Sequence, residues 1–226
     1  MIIDYTFLLL AVILLWFPRQ WLRFGRAAAR RLRWWSRSRR RSVPAAVREP
    51  GDTRLKASEE FSKPRNYIDF FRALLGGLLM VGNSAWAIEP AIRVDPAATL
   101  DGQVGAILGW LRMALLLVAV LIQFVRYENR FTLYAPIFFL GGLGIALCGL
   151  HAGVLAILVV WVMNASLPLT PASFLSVYVL MVFMLGLLFR GAADANVIFA
   201  GTVSLLPVVI SLLSRRSLAV FTKRSK

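Results

Sequence analysis

Hydrophobic residues in this chain fall in long runs separated by short polar breaks. The runs extend from Tyr5 to Phe17, Tyr67 to Ile88, Val104 to Val125, Leu133 to Ala165, Ser173 to Phe189 and Val197 to Leu213. A helix crosses a hydrocarbon core about 30 Å thick with roughly 20 apolar residues. The pattern therefore predicts an all-α, polytopic bundle of transmembrane helices.

The run from Leu133 to Ala165 decides the count. As one helix it would be roughly 50 Å long at about 1.5 Å per residue. Tilt alone does not fit that length into the bilayer. A break is expected within Cys148 to Gly153, where Gly149 and Gly153 flank His151. The two halves are then short, either as two thin spans or as a re-entrant hairpin turning inside the protein. Both options return the chain to its starting side and give about seven membrane segments.

Charge supports the same count. Of the 26 Lys and Arg residues, fifteen lie between Arg19 and Arg65, two at Arg126 and Arg130, and five between Arg215 and Lys226. With the N-terminus outside and the long run folded back, these 22 face the cytoplasm, as positive-inside topology demands. Asp4 precedes the first run and arginines follow it, the reverse of a cleaved signal peptide. The expected location is a bacterial-type inner membrane, N-terminus outside and C-terminus cytoplasmic. The segments are an anchor over 1–18, a basic helix over 19–41, a linker over 42–66, the bundle over 67–213 and a basic tail over 214–226.

The basic helix has the most regular polar pattern. Arg19, Arg23, Arg26, Arg30, Arg33, Arg37 and Arg40 recur at spacings of four and three, which makes one stripe on a helix. Trp21, Phe24 and Trp35 fall opposite. An aromatic face behind an arginine face predicts an amphipathic helix lying in the membrane interface. Its partners are anionic lipids or an acidic cytoplasmic protein, and a pure topology anchor is the plainer reading. The net charge of +15 does not by itself call for nucleic acid, because base-stacking platforms are usually built on sheets or grooves.

Three polar positions lie inside runs: Arg112, Asn83 and His151. Arg112 sits about nine residues into its run, with Gly105 and Gly109 on the same face. Small residues let helices approach closely, so Arg112 is expected against a neighbouring helix or a polar cavity. It is a functional candidate by its depth and otherwise pairs with a carbonyl or an outer-surface carboxylate. Asn83 is expected deep in its span, bonding across helices. His151 is expected to satisfy backbone groups at the break, and Arg72 to reach the headgroups beside Asp69. Gly142, Ala146, Gly149 and Gly153 form a second small-residue stripe.

Candidate chemistry is sparse. Cys148 and His151 are too few ligands for a metal, and no cofactor, metal or catalytic set is expected. The lysines are Lys56, Lys63, Lys223 and Lys226, none placed for a retinal Schiff base. No phosphate-binding loop or hydrolase motif is present.

Tyr67-Ile68-Asp69-Phe70-Phe71-Arg72-Ala73-Leu74, with Met80 and Asn83 beyond it, resembles the opening helix of membrane acyltransferases of the acyltransferase-3 type. The resemblance covers under a tenth of the chain. Where that family has a histidine, this sequence has Asn83 or Ser84, so its catalytic role does not carry over. The expected function is a non-catalytic membrane subunit or scaffold that docks other membrane proteins and anionic lipid. The alternatives are a small-solute transporter or channel component using the broken run and Arg112, and a lipid- or polysaccharide-modifying enzyme.

Overall fold

The computed structural model describes residues 2–18, 54–83, 86–93, 102–128, 130–191, 194–216 and 218–219. The basic helix expected over 19–41, with Arg19, Arg23, Arg26, Arg30, Arg33 and Arg37 and with Trp21, Phe24 and Trp35, lies outside the described residues.

The described residues contain eight helices. These are α1 (Tyr5–Trp16), α2 (Ala57–Phe61), α3 (Pro64–Val81), α4 (Gly102–Phe124), α5 (Ile137–Cys148), α6 (Leu150–Ser166), α7 (Pro171–Arg190) and α8 (Ala195–Leu213). Two small antiparallel strand pairs join them: β1 (Ile2–Ile3) with β2 (Ile92–Arg93), and β3 (Val125–Glu128) with β4 (Arg130–Leu133). Gly105–Phe124 within α4, together with α7 and α8, is long and apolar enough to cross a membrane, whereas α1, α5 and α6 are shorter apolar helices. The architecture is therefore a helical membrane-protein bundle.

Tertiary contacts orient the helices. The α1 helix begins at Asp4, whose backbone N–H donates to Ala91, and ends at Phe17, whose carbonyl accepts from Gln123 near the end of α4. The α3 helix runs back from the Phe17 end to the Asp4 end, and α4 returns. All seven longer helices follow this alternation, with α5 reached from α4 through the β3–β4 hairpin. A bridge between Tyr134 and Ala219 brings the chain after α8 back to the Phe17 end.

The long apolar run is broken as its length requires. Gly149 adopts φ +86° between α5 and α6, a region that favours glycine because it has no Cβ. The two halves then lie antiparallel. A Cβ at Gly153 would stand 2.5 Å from the Ile145 Cα, and one at Gly141 would stand 3.2 Å from the Ile157 Cδ1. The rings of Phe138 and Trp161 are 5.8 Å apart. These pairs are nearly symmetric about Gly149, as in a hairpin with its tip at that residue. The α5 helix has 12 residues, about 18 Å of length, and protein covers almost its whole surface.

Close backbone approach explains part of the second glycine stripe. A Cβ at Gly142 would stand 2.2 Å from the Phe70 carbonyl oxygen of α3. Ala146 packs on Gly77 one turn further along, where a Cβ would meet the alanine methyl at 2.6 Å. The stripe is thus not one continuous face: Gly142 and Ala146 seat α3, Gly149 makes the turn, and Gly153 seats α6 on α5. The pair Gly105 and Gly109 behaves differently. Among the described residues nothing lies within 4 Å of a Cβ at Gly105, and at Gly109 the nearest atom is Phe199 Cζ at 3.8 Å. The close packing expected for that pair is not formed.

Two further expectations change, and one element is new. The α3 helix starts at Pro64 and stops at Gly82, φ +79°, so Asn83 lies beyond the helix in a turn rather than deep in a span. The linker is structured from Arg54 onward. Leu55 is buried, its N–H donates to Leu169 at 2.8 Å, and its carbonyl accepts from Asn164 Nδ2 at 3.1 Å. The charged segment after α4 is an antiparallel hairpin, with Glu128 opposite Arg130.

Candidate functional site

Two polar groupings stand out, one at each end of the bundle. At the Phe17 end, Asp69 and Arg72 lie one turn apart on the buried side of α3, 2.9 Å between Oδ1 and Nη2. Arg72 Nη2 donates to Gln123 Oε1 at 2.5 Å, and Nη1 donates to the Phe17 carbonyl. Gln123 Nε2 donates to the same carbonyl at 3.0 Å. The C-terminus of α1 has carbonyls with no intrahelical partner, and these two side chains satisfy them. The Arg72 guanidinium also lies over the Phe139 ring, 5.5 Å from its centroid. A cation expected to reach the headgroups is instead buried, because acceptors from α1, α3 and α4 converge on it.

The grouping extends to the start of α3. Lys63 Nζ meets Glu60 Oε1 at 2.5 Å, and Asn66 Nδ2 donates to Glu60 Oε2 at 2.9 Å. A cavity of about 10 Å³ lies between Glu60, Asn66, Asp69 and Gln123, about enough for one water. This cluster ties helices together and has no room for a substrate.

The Asp4 end is open. A cleft of about 800 Å³ lies around the Gly149 tip, between the turn after α3 and the α7–α8 connection. Asn83, Trp86, His151, Phe189, Arg190 and Asn196 contribute to its wall. Local sequence sets each in place. Gly191 at φ +87° ends α7 directly after Arg190. Asp194 then caps α8, accepting from the Asn196 N–H at 2.9 Å, and also accepts from Arg190 Nε at 2.6 Å. Asn83 shapes the facing turn by pairing with Ile88 and accepting from the Trp86 N–H through Oδ1. His151 sits exposed in the first turn of α6, its ring stacked on Phe189 at 6.3 Å and 26°. Its ring makes no hydrogen bond to the backbone among the described residues, contrary to expectation.

Arg112 is not part of either grouping. Its Nη2 donates to the carbonyl of Ile92, which the β1–β2 pairing holds near α4. The three intramembrane candidates therefore go to three places: Arg112 to a backbone carbonyl, Asn83 to a turn, His151 to the cleft. Reading the sequence missed Arg190, Trp86 and Asn196 at the cleft, and Gln123 in the buried cluster. The four-residue spacing of Arg190 and Asp194 was the available signal for the first. Among the described residues, no three His, Cys, Asp or Glu side chains gather as a metal site would require.

Comparison with known proteins adds no relative. No family model matches the chain, and neither does any curated protein or solved structure. The short resemblance around Tyr67 is thus unaccompanied by a wider match.

Proposed function

We propose that this protein is a non-catalytic subunit or scaffold of a membrane complex. In this reading it crosses a bacterial-type inner membrane with its Asp4 end outside and its Phe17 end in the cytoplasm. The observation that carries the reading is the contact made by Arg112. A charge deep in an apolar run is by default a functional candidate, yet its Nη2 is bonded to Ile92 and it does not line the cleft. The buried pair Asp69 and Arg72 holds α1, α3 and α4 to one another. Polar side chains inside the bundle thus serve assembly. The transporter alternative relies on Arg112, and its bond to Ile92 favours the subunit reading over it.

Orientation rests on charge. The Phe17 end carries the flanks of the basic stretch from Arg19 to Arg65 together with Arg215 and Arg216, the distribution that positive-inside topology assigns to the cytoplasm. The arginine stripe of residues 19–41 is the proposed docking element for anionic lipid and for other membrane-protein subunits. The test is purification in mild detergent, with and without Arg23→Gln, Arg26→Gln, Arg30→Gln and Arg33→Gln. A partner in fixed stoichiometry, lost from the fourfold variant, is expected. A protein that purifies alone and monomeric from native membranes would contradict the reading.

A further inference from the structure

The cleft at the Asp4 end takes no part in the subunit reading, and its walls are not those of an empty packing defect. Arg190 is the central group. One edge of its guanidinium is used: Nε donates to Asp194 Oδ2 at 2.6 Å. Its Nη1 and Nη2 have no hydrogen-bond partner among the described residues. The Nη1 nitrogen lies near the hairpin tip, 3.4 Å from where a Cβ at Gly149 would stand. The planar fork that binds oxyanions in a bidentate manner is therefore presented to the cleft rather than used up by the protein.

The surroundings add to its charge. The first turn of α6 begins at Gly149, which supplies no side-chain cap, and its residues form part of the wall. His151, in that turn, contributes a ring without a hydrogen-bond partner among the described residues. Against these stands Asp194, divided between Arg190 and the Asn196 amide. The carboxylate of Glu89 also borders the cleft and is paired with Arg93. Leu147, Leu150 and Phe189 supply an apolar wall beside the charged one. A polar, cation-bearing rim beside apolar surface suits an amphiphilic or ester-bearing anion.

We propose that this cleft binds a phosphate group, gripped by Arg190 at the Gly149 tip, with the remainder of the ligand against Leu150 and Phe189. The phosphate comes either from a phospholipid headgroup or from a soluble phosphate ester. Both offer the oxygens that the free edge of Arg190 fits, and the volume holds either.

The full chain in phosphate-free maltoside micelles is titrated with two probes, inorganic phosphate and short-chain phosphatidylglycerol, by calorimetry. Saturable binding of inorganic phosphate assigns the site to free phosphate esters. Saturable binding of the lipid alone assigns it to headgroups. In either case Arg190→Gln is expected to weaken binding at least tenfold, about the loss of one charge-assisted contact. Asp194→Asn keeps a capping side chain on α8 while removing the competing charge, and is expected to tighten binding by roughly threefold to tenfold. Arg215→Gln, exposed at the opposite end of the bundle and away from the cleft, leaves affinity unchanged. Should Arg190→Gln fail to fold, Asp194→Asn alone decides the question. No saturable binding of either probe, or affinity unmoved by both Arg190→Gln and Asp194→Asn, overturns the proposal.

Discussion

Arg72 in the middle of α3 and Arg190 at the end of α7 each lie beside a carboxylate three or four residues away, toward opposite ends of the bundle, and the protein treats them differently. Arg72 is 6% exposed and its guanidinium reaches Asp69, Gln123 and the end of α1. Arg190 is 38% exposed, meets Asp194 through one nitrogen and leaves the others without a partner among the described residues. The difference lies in what arrives from elsewhere. At the Phe17 end, α1 and α4 both terminate against α3 and bring acceptors with them. At the Asp4 end, the Gly82, Gly149 and Gly191 turns end three helices early and leave space between them. Charge at one end fixes the fold, and charge at the other remains available.

The sharpest way to break this contrast is Asp69→Ala. It leaves Arg72 buried without its carboxylate, a change that costs about 3–5 kcal/mol. Thermal unfolding in detergent should show a large fall, or no folded protein. Next is Gly142→Ala, which forces a methyl toward the Phe70 carbonyl where only 2.2 Å is free. Overpacking of this kind costs about 1–3 kcal/mol, and the same assay reads it. Arg190→Gln should cost under about 1 kcal/mol, because its pair with Asp194 is partly exposed and screened. Smallest is Gly105→Ala, within about 0.5 kcal/mol of zero, since open space lies around that position. A Gly105→Ala variant as damaging as Gly142→Ala would show that α4 packs against something in the folded state that the monomer lacks.

The helical class and the break were legible because both follow from length. Thirty-odd apolar residues do not fit a bilayer as one straight helix, and Gly149 was the residue able to turn. The details of α3 were harder to read. The run was expected to continue to Ile88, yet the helix ends at Gly82, because the chain turns back toward Ala91 and the start of α1. Gly82-Asn83-Ser84 marks that turn, but the triplet is short and apolar residues resume after it, so the run reads as unbroken. The β3–β4 hairpin was readable in principle: Val125, Tyr127, Phe131 and Leu133 alternate with polar residues about Asn129, but the charges drew attention to topology instead. Arg72 was misplaced for a different reason. Its distance along the run allowed it to reach the headgroups, and only the arrival of Gln123 and Phe17 from distant sequence makes burial favourable. The same holds for the cleft, whose walls come from three separate turns.

Side-specific cysteine labelling in intact membranes tests the architecture most directly, using a Cys148→Ser background. His151 marks the hairpin tip, while Ser58 and Ser214 lie at the Phe17 end. A membrane-impermeant reagent added outside is expected to label a cysteine at His151 and to miss cysteines at Ser58 and Ser214 until the membrane is opened. Labelling of Ser58 and Ser214 from outside, with His151 protected, would reverse the orientation. Labelling of His151 and Ser214 from the same side would contradict the alternating bundle itself.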